Sequence, residues 1–177
     1  MKPAAAARAL HAPARDATDA WSATLRAPFA TLAVRTQDGA VTEVAYLARD
    51  ARMVAPRERI AERAIQELRR YLDDPEFRFS VPLAPRGTPF QQRVWDAIAA
   101  IPRGESRTYL EVARSVASAA RAVGQACGAN RIALIIPCHR VVGTRGALGG
   151  FMHAAAGDPI AIKRWLLAHE GYRFGLF

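Results

Sequence analysis

The sequence predicts an α+β protein, with a small N-terminal α/β domain of antiparallel strands and a helix, followed by a mainly helical C-terminal domain. Three observations predict this. Apolar residues alternate on both sides of Gln37-Asp38-Gly39, with Leu32 and Val34 before it and Val41, Val44 and Tyr46 after it, which reads as a β-hairpin. Ile60, Ala64, Ile65, Leu68 and Leu72 then recur at helical spacing between Arg57 and Asp73. Beyond residue 87 the patterns are those of successive short helices.

Taken in order, residues 1–20 are Ala-rich with scattered Arg and Asp. Asp16 and Asp19 argue against a transit peptide, and a disordered start is expected. The N-terminal domain is assigned to 21–82. Pro75 stops its helix, and Phe77 to Val81 alternates like another strand. Pro82 and Pro85 mark a linker. The C-terminal domain, 87–177, opens on a strong helix start: Thr88 can cap, Pro89 suits the first helical position, and Gln91 completes a capping box. Phe90, Val94, Trp95, Ile98 and Ile101 form its buried stripe, and Pro102-Arg103-Gly104 ends it. Two short helices are expected next, Tyr109–Val116 and Ala119–Ala129, with the spacing of a helix-turn-helix. Ile132 to Ile136 reads as a buried strand ending at Pro137. Lys163 to His169 reads as a last helix stopped by Gly171.

Composition bounds the function. The chain has 177 residues, 51% of them hydrophobic, enough for a real core. No apolar run reaches the ~18 residues of a membrane span. With only two cysteines, Cys127 and Cys138, a reducing cytoplasm is expected rather than secretion. The histidines, His11, His139, His153 and His169, are too scattered for a structural zinc site. A net charge of +9 favours polyanion partners, nucleic acid first. Yet only Lys2 and Lys163 are lysines, and this Arg-for-Lys, Ala-rich bias fits a genome-wide composition equally well.

The chemistry concentrates at Ile135-Ile136-Pro137-Cys138-His139-Arg140-Val141-Val142. A cysteine attacks as thiolate and needs a base or a positive field beside it. Neighbours in an extended chain point to opposite faces, so His139 is expected to reach Cys138 through a water rather than directly. His139 in turn needs an orienting acceptor, and Glu170 is the candidate. Read without any family, a Cys-His pair is more often a buried structural thiol beside a surface histidine.

The run Pro-Cys-His-Arg-Val, with Asn130 and an apolar segment before it, resembles the O6-alkylguanine-DNA alkyltransferase family. The resemblance spans about Gly87 to Gly171. It includes Gly87 to Trp95, Ile101-Pro102-Arg103-Gly104-Glu105, Tyr109, Ala120-Arg121-Ala122-Val123-Gly124 and Trp165 to Gly171. It implies irreversible, single-turnover transfer of an alkyl group from O6-alkylguanine in double-stranded DNA, and also from O4-alkylthymine, to Cys138. It implies that the C-terminal domain holds the active-site Cys loop, that His139 acts through a water, and that Glu170 orients His139. Tyr109 is similar to the tyrosine that donates to the departing purine. Arg121 is similar to the arginine that fills the stack when the base swings out. Asn130 is similar to the asparagine that ties the Cys loop. Val141, Val142, Gly150, Phe151 and Met152 would line the pocket. Ala122, Ala126 and Ala129 form a small-residue stripe that either lies against DNA or packs on the core. Cys127 reads as a core thiol. No cofactor, no metal, no obligate protein partner and a monomer are expected.

The chain departs from the family pattern in three places. The turn at Ala117-Ser118 is about two residues short. Right after Phe151, where many members are Gly-rich, the chain reads Met152-His153-Ala154-Ala155-Ala156-Gly157, and the segment to Ile160 is longer, so Met152 and His153 are expected to fill the alkyl pocket. No Cys cluster precedes residue 100, so no zinc-bearing phosphotriester module and no N-terminal zinc site is expected. The competing readings are a non-catalytic lesion binder of the same fold, a helix-turn-helix regulator with an incidental thiol, and a cysteine hydrolase.

Overall fold

The computed structural model describes residues 21–145, 147–152 and 158–173. The expectation for 1–20 and the pocket-filling role of His153 lie outside them. Three antiparallel strands form the first layer: β1 (Ala23–Arg26), β2 (Thr31–Gln37) and β3 (Ala40–Leu47), in the order β1-β2-β3. The β2–β3 hairpin turns on Asp38 and Gly39, both at positive φ (52° and 76°), the geometry whose twist matches paired strands. β1 lies outside the sequence reading, being four residues long with a weak alternation.

α1 (Arg59–Asp73) packs across this sheet. Its buried face is Ala61, Ala64, Ile65, Leu68 and Tyr71, while Ile60 and Leu72 are only partly buried. The real stripe is therefore rotated toward Tyr71. The expected strand at Phe77–Val81 does not form. Instead the buried Glu67 carboxylate accepts the Ser80 and Val81 amides at 2.7 and 2.9 Å, doing for them what a neighbouring strand would do.

The C-terminal half holds α2 (Pro89–Ala99), β4 (Arg107–Thr108), α3 (Tyr109–Ser115), α4 (Ala120–Gly128), β5 (Val141–Val142) and α5 (Asp158–His169). α2 begins with the capping box the sequence announces: Thr88 accepts from the Gln91 amide, and Gln91 accepts from the Thr88 amide. A second box, Thr108 with Glu111, starts α3. The tight turn between α3 and α4 holds Ala117 at φ 51°, and the Ser118 amide reaches back to the Ala113 carbonyl at 2.8 Å. One apolar core runs through both halves, from Leu32, Val44 and Tyr46 to Ile98, Ile132 and Leu166. Among the described residues no helix is long and apolar enough to cross a membrane.

Residues 132–136 correct the sequence reading. They are a series of buried turns, not a strand, with Leu134 at φ 71°. Only Ile132 makes a bridge, to Val44 of β3. Pro137 then leads into a single 3₁₀ turn, Cys138–Arg140. Leu134 takes the left-handed backbone that an apolar run does not advertise, so periodicity could not find this bend.

Candidate active site

Asn130, at the end of α4, sets the shape of the Cys138 loop. Its Nδ2 donates to the Ile136 carbonyl at 2.9 Å and to Cys138 Sγ at 3.2 Å, and its Oδ1 accepts from the Ile132 amide at 2.9 Å. One buried amide thus closes the turns and touches the thiol. Cys138 is 6% exposed and opens into a pocket of about 500 Å³.

The 3₁₀ turn points the next two side chains into the protein. His139 is fully buried, with Nε2 3.0 Å from Glu170 Oε1. A nitrogen facing a carboxylate carries the proton, so the neutral ring has its bare lone pair at Nδ1. Burial pushes His139 below its ordinary value, with Arg140 and Lys163 adding to this and Glu170 opposing it. Glu170 also accepts Tyr71 Oη at 2.8 Å and a two-pronged grip from Arg140. Burial alone would raise Glu170. The hydrogen bonds from His139 and Arg140, with the Arg140 charge, outweigh it and hold the carboxyl far below the usual range. A neutral His139 carries no charge, so the electrostatic pull on the carboxyl comes from the Arg140 guanidinium. The third guanidinium arm, Nη1, donates to the Ile101 carbonyl at 2.6 Å.

Sequence reasoning missed Lys163. It is fully buried, and Nζ donates to the Val141 carbonyl at 2.6 Å and the Gly150 carbonyl at 3.1 Å. Burial pulls it down to about 8, and the two cysteines oppose the fall. Its position near the start of a regular helix pattern was the only signal available. Tyr71 was also missed, because its partner lies 99 residues away.

The pocket wall joins α3, α4 and the 150–152 segment. Gly150, Phe151 and Met152, expected in the pocket, line it, and so do Tyr109 and Arg121. Tyr109 Oη donates to the Gly150 carbonyl at 2.8 Å. Two groups of residues are corrected. Val141 and Val142 are buried and pair with β4 instead of lining the pocket. In the small-residue stripe, Ala126 is 1% exposed and faces the core, where its carbonyl accepts Trp95 Nε1 at 2.9 Å. Ala122 and Ala129 are half-buried, and Ala129 packs against the core. The open side of α4 is instead Arg121, Gly124, Gln125 and Gly128. Cys127 also lines the pocket. A hydrogen bond with Cys138, then burial, push its thiol well above the ordinary value. Among the described residues no group of three or more His, Cys, Asp or Glu side chains is placed to hold a metal ion.

A buried cysteine lining a pocket, next in sequence to a histidine paired with a glutamate and bordered by the short helices α3 and α4, is an arrangement in which a thiol can act on a molecule held in the pocket. The comparisons specify it. The family model described as "6-O-methylguanine DNA methyltransferase, DNA binding domain" matches residues 89–172. A Bacillus subtilis protein named methylated-DNA–protein-cysteine methyltransferase, constitutive, is 47% identical over 109 residues, covering 60% of this chain and 64% of its own. The match thus spans just under two thirds of that relative. The solved O6-methylguanine methyltransferase of Mycobacterium tuberculosis superposes with a TM-score of 0.71 at 36% identity, covering 87% of this chain and 94% of that one. A structure from the same organism in complex with DNA gives 0.67 at 38%, covering 83% and 90%. The chain belongs to the O6-methylguanine DNA methyltransferase family.

Proposed function

We propose that the chain repairs double-stranded DNA by moving the alkyl group of O6-alkylguanine, and also of O4-alkylthymine, onto Cys138, once per molecule. The observation that carries the reading is Cys138 Sγ at the floor of a base-sized pocket, with Arg121 and Tyr109 on its rim. The named activity of the Bacillus subtilis relative and the DNA-bound Mycobacterium tuberculosis structure support it.

In this reading the 87–177 half binds DNA and performs the transfer. The 21–82 half supports the site from behind, through Tyr71 on Glu170. The lesion leaves the stack and enters the pocket, and Arg121 takes its place in the duplex. Cys138 loses its proton toward His139 Nδ1. The thiolate attacks the alkyl carbon in line, an S–C bond forms and the C–O6 bond breaks. The electron pair of that bond goes to the base, which takes a proton at N1 and leaves as guanine. Tyr109 donates to the purine and eases the departure of negative charge. Asn130 Nδ2 holds the sulfur in line. A thioether has no good leaving group, so the protein is spent.

The chain acts as a monomer in the cytoplasm, without cofactor or obligate protein partner. The test is incubation with a duplex containing one O6-methylguanine, then intact and peptide mass. The expected result is one added methyl per chain, on the Cys138 peptide. Repeated turnover, an adduct on Cys127, or lesion binding with no mass change would each overturn the reading.

A further inference from the structure

Tyr46 and His139 each bury a polar atom without a partner. Both side chains are fully buried, and Tyr46 Oη and His139 Nδ1 are the two buried side-chain nitrogen or oxygen atoms among the described residues that make no hydrogen bond. Unpaired buried polar atoms are costly and rare; Tyr46 shares one core with Cys138, and His139 follows it in the chain, so the two call for one explanation.

The sheet delivers Tyr46 to the site. The Val44 amide donates to the Arg131 carbonyl at 2.8 Å, and the Val44 carbonyl accepts from the Ala133 amide at 3.1 Å. These bonds stitch β3 to the turns that lead into Cys138. Tyr46 lies two residues further, on the same face of the strand. Its ring meets Phe151 of the pocket wall at 6.2 Å and Phe29 at 6.0 Å, and Phe29 rests on Trp165 of α5 at 4.6 Å. The Tyr46 ring is thus packed against the pocket wall, on the strand whose backbone holds the turns leading into Cys138. Burial, then the charges of Cys138 and Glu170, push it far above an ordinary phenol, so it stays protonated.

We propose that Tyr46 is a positioning residue of the transfer site, its hydroxyl and His139 Nδ1 together holding one water that links Cys138 to the imidazole. Cys138 gives its proton to this water as the water gives one of its own to Nδ1. The imidazolium so formed keeps its Nε2 proton on Glu170. Arg140 and Lys163 oppose that charge and Glu170 favours it. Tyr71 and Glu170 are the other ionisable neighbours of Tyr46 besides Cys138. Tyr46 neither gains nor loses a proton. It fixes the water so that both transfers are in line.

The inference rests on the reading of Cys138 as the reacting thiol, and its test is chosen to fail separately. Alkylation of Cys138 by iodoacetamide, located by peptide mass, is followed between pH 5.5 and 9.5 in the whole chain. Tyr46→Phe removes one oxygen, and Tyr46→Met is a second variant without a hydroxyl. Both are expected to move the midpoint of the pH–rate profile up by about one unit, roughly a tenfold loss at neutral pH. His139→Gln is expected to produce its own shift, and adding Tyr46→Phe to it no further one, because both residues serve the same water. An unmoved midpoint in Tyr46→Phe, or shifts that add in the double variant, would overturn the proposal. Failure of methyl transfer from DNA with the iodoacetamide shifts intact would instead overturn the proposed function.

Discussion

Arg140 grips Glu170 with two hydrogen bonds, Nε to Oε2 at 2.8 Å and Nη2 to Oε1 at 2.9 Å, inside a carboxylate that also accepts Tyr71 and His139. Four donors converge on a group that is 6% exposed. Glu170→Gln breaks this set by leaving Arg140 charged and unpaired. Losing one partner of a buried pair costs about 3–5 kcal/mol. Urea unfolding at pH 7 should show the midpoint falling accordingly. A change under about 1 kcal/mol would mean that water reaches Arg140 and replaces the carboxylate.

Acid should weaken the fold in two stages, both of the same sign. His139 lies below its ordinary value because burial resists its charge. The unfolded chain therefore binds the proton first, below about pH 6.5. The stability from the neutral ring is full above that pH and erodes as pH falls. Glu170 is also depressed, so its contribution is full above about pH 4.3 and is lost as pH falls toward its native value. Thermal melts from pH 8 to pH 5 should decline in the wild type. His139→Gln should flatten that part of the slope and leave the lower stage in place.

What the sequence displayed was local. Thr88 and Gln91 form a capping box within one turn, and four residues announce it. The hairpin turn at Asp38-Gly39 is equally local. Cys138, His139 and Glu170 were recognisable through a five-residue motif and a helix end. What stayed hidden depends on distant partners. Glu67 takes the amides of Ser80 and Val81 and so replaces a strand with a tethered loop. Lys163 takes the carbonyls of Val141 and Gly150, and Tyr71 takes Glu170. None of these pairs has a spacing that periodicity can detect. Ala126 could not be assigned a side from the sequence for a related reason. On a nine-residue helix rich in small residues the inward and outward stripes look alike, and Trp95 decides between them.

Arg121 stands exposed on α4 at the pocket rim. If it fills the vacated stack, Arg121→Ala should slow repair in duplex DNA by roughly ten- to a thousand-fold, since flipping costs a few kcal/mol. Transfer from free O6-alkylguanine should hardly change. Parallel single-turnover rates on the two substrates decide it, and an equal loss on both would assign Arg121 to another task.

Gly149 is held at φ 69°, and a Cβ built there would lie 2.8 Å from Tyr109 Cε2. The backbone conformation alone disfavours a side chain by about 1 kcal/mol. The contact adds to this by pushing the Tyr109 ring off the Gly150 carbonyl. Gly149→Ala should lower the melting temperature by several degrees and slow transfer from methylated duplex more than it weakens duplex binding. A normal transfer rate would show that the ring moves without consequence.

Adduct size tests the Met152 segment. The sequence led us to expect Met152 to fill the alkyl cavity. It is a buried residue of the pocket wall at φ 51°, and the pocket as a whole is about 500 Å³. Cavities of about 300–1,000 Å³ accept drug-sized ligands. If a flipped guanine leaves part of this space free, a group larger than methyl fits beside it. The expected outcome is that O6-benzylguanine reacts within about tenfold of O6-methylguanine in one duplex context, because one apolar group against a pocket wall changes the barrier by only about 1–3 kcal/mol. Met152→Gly should then leave the benzyl rate nearly unchanged. A benzyl rate a hundredfold below the methyl rate, rescued by Met152→Gly, would show that the side chain swings inward and that filling was the right expectation after all.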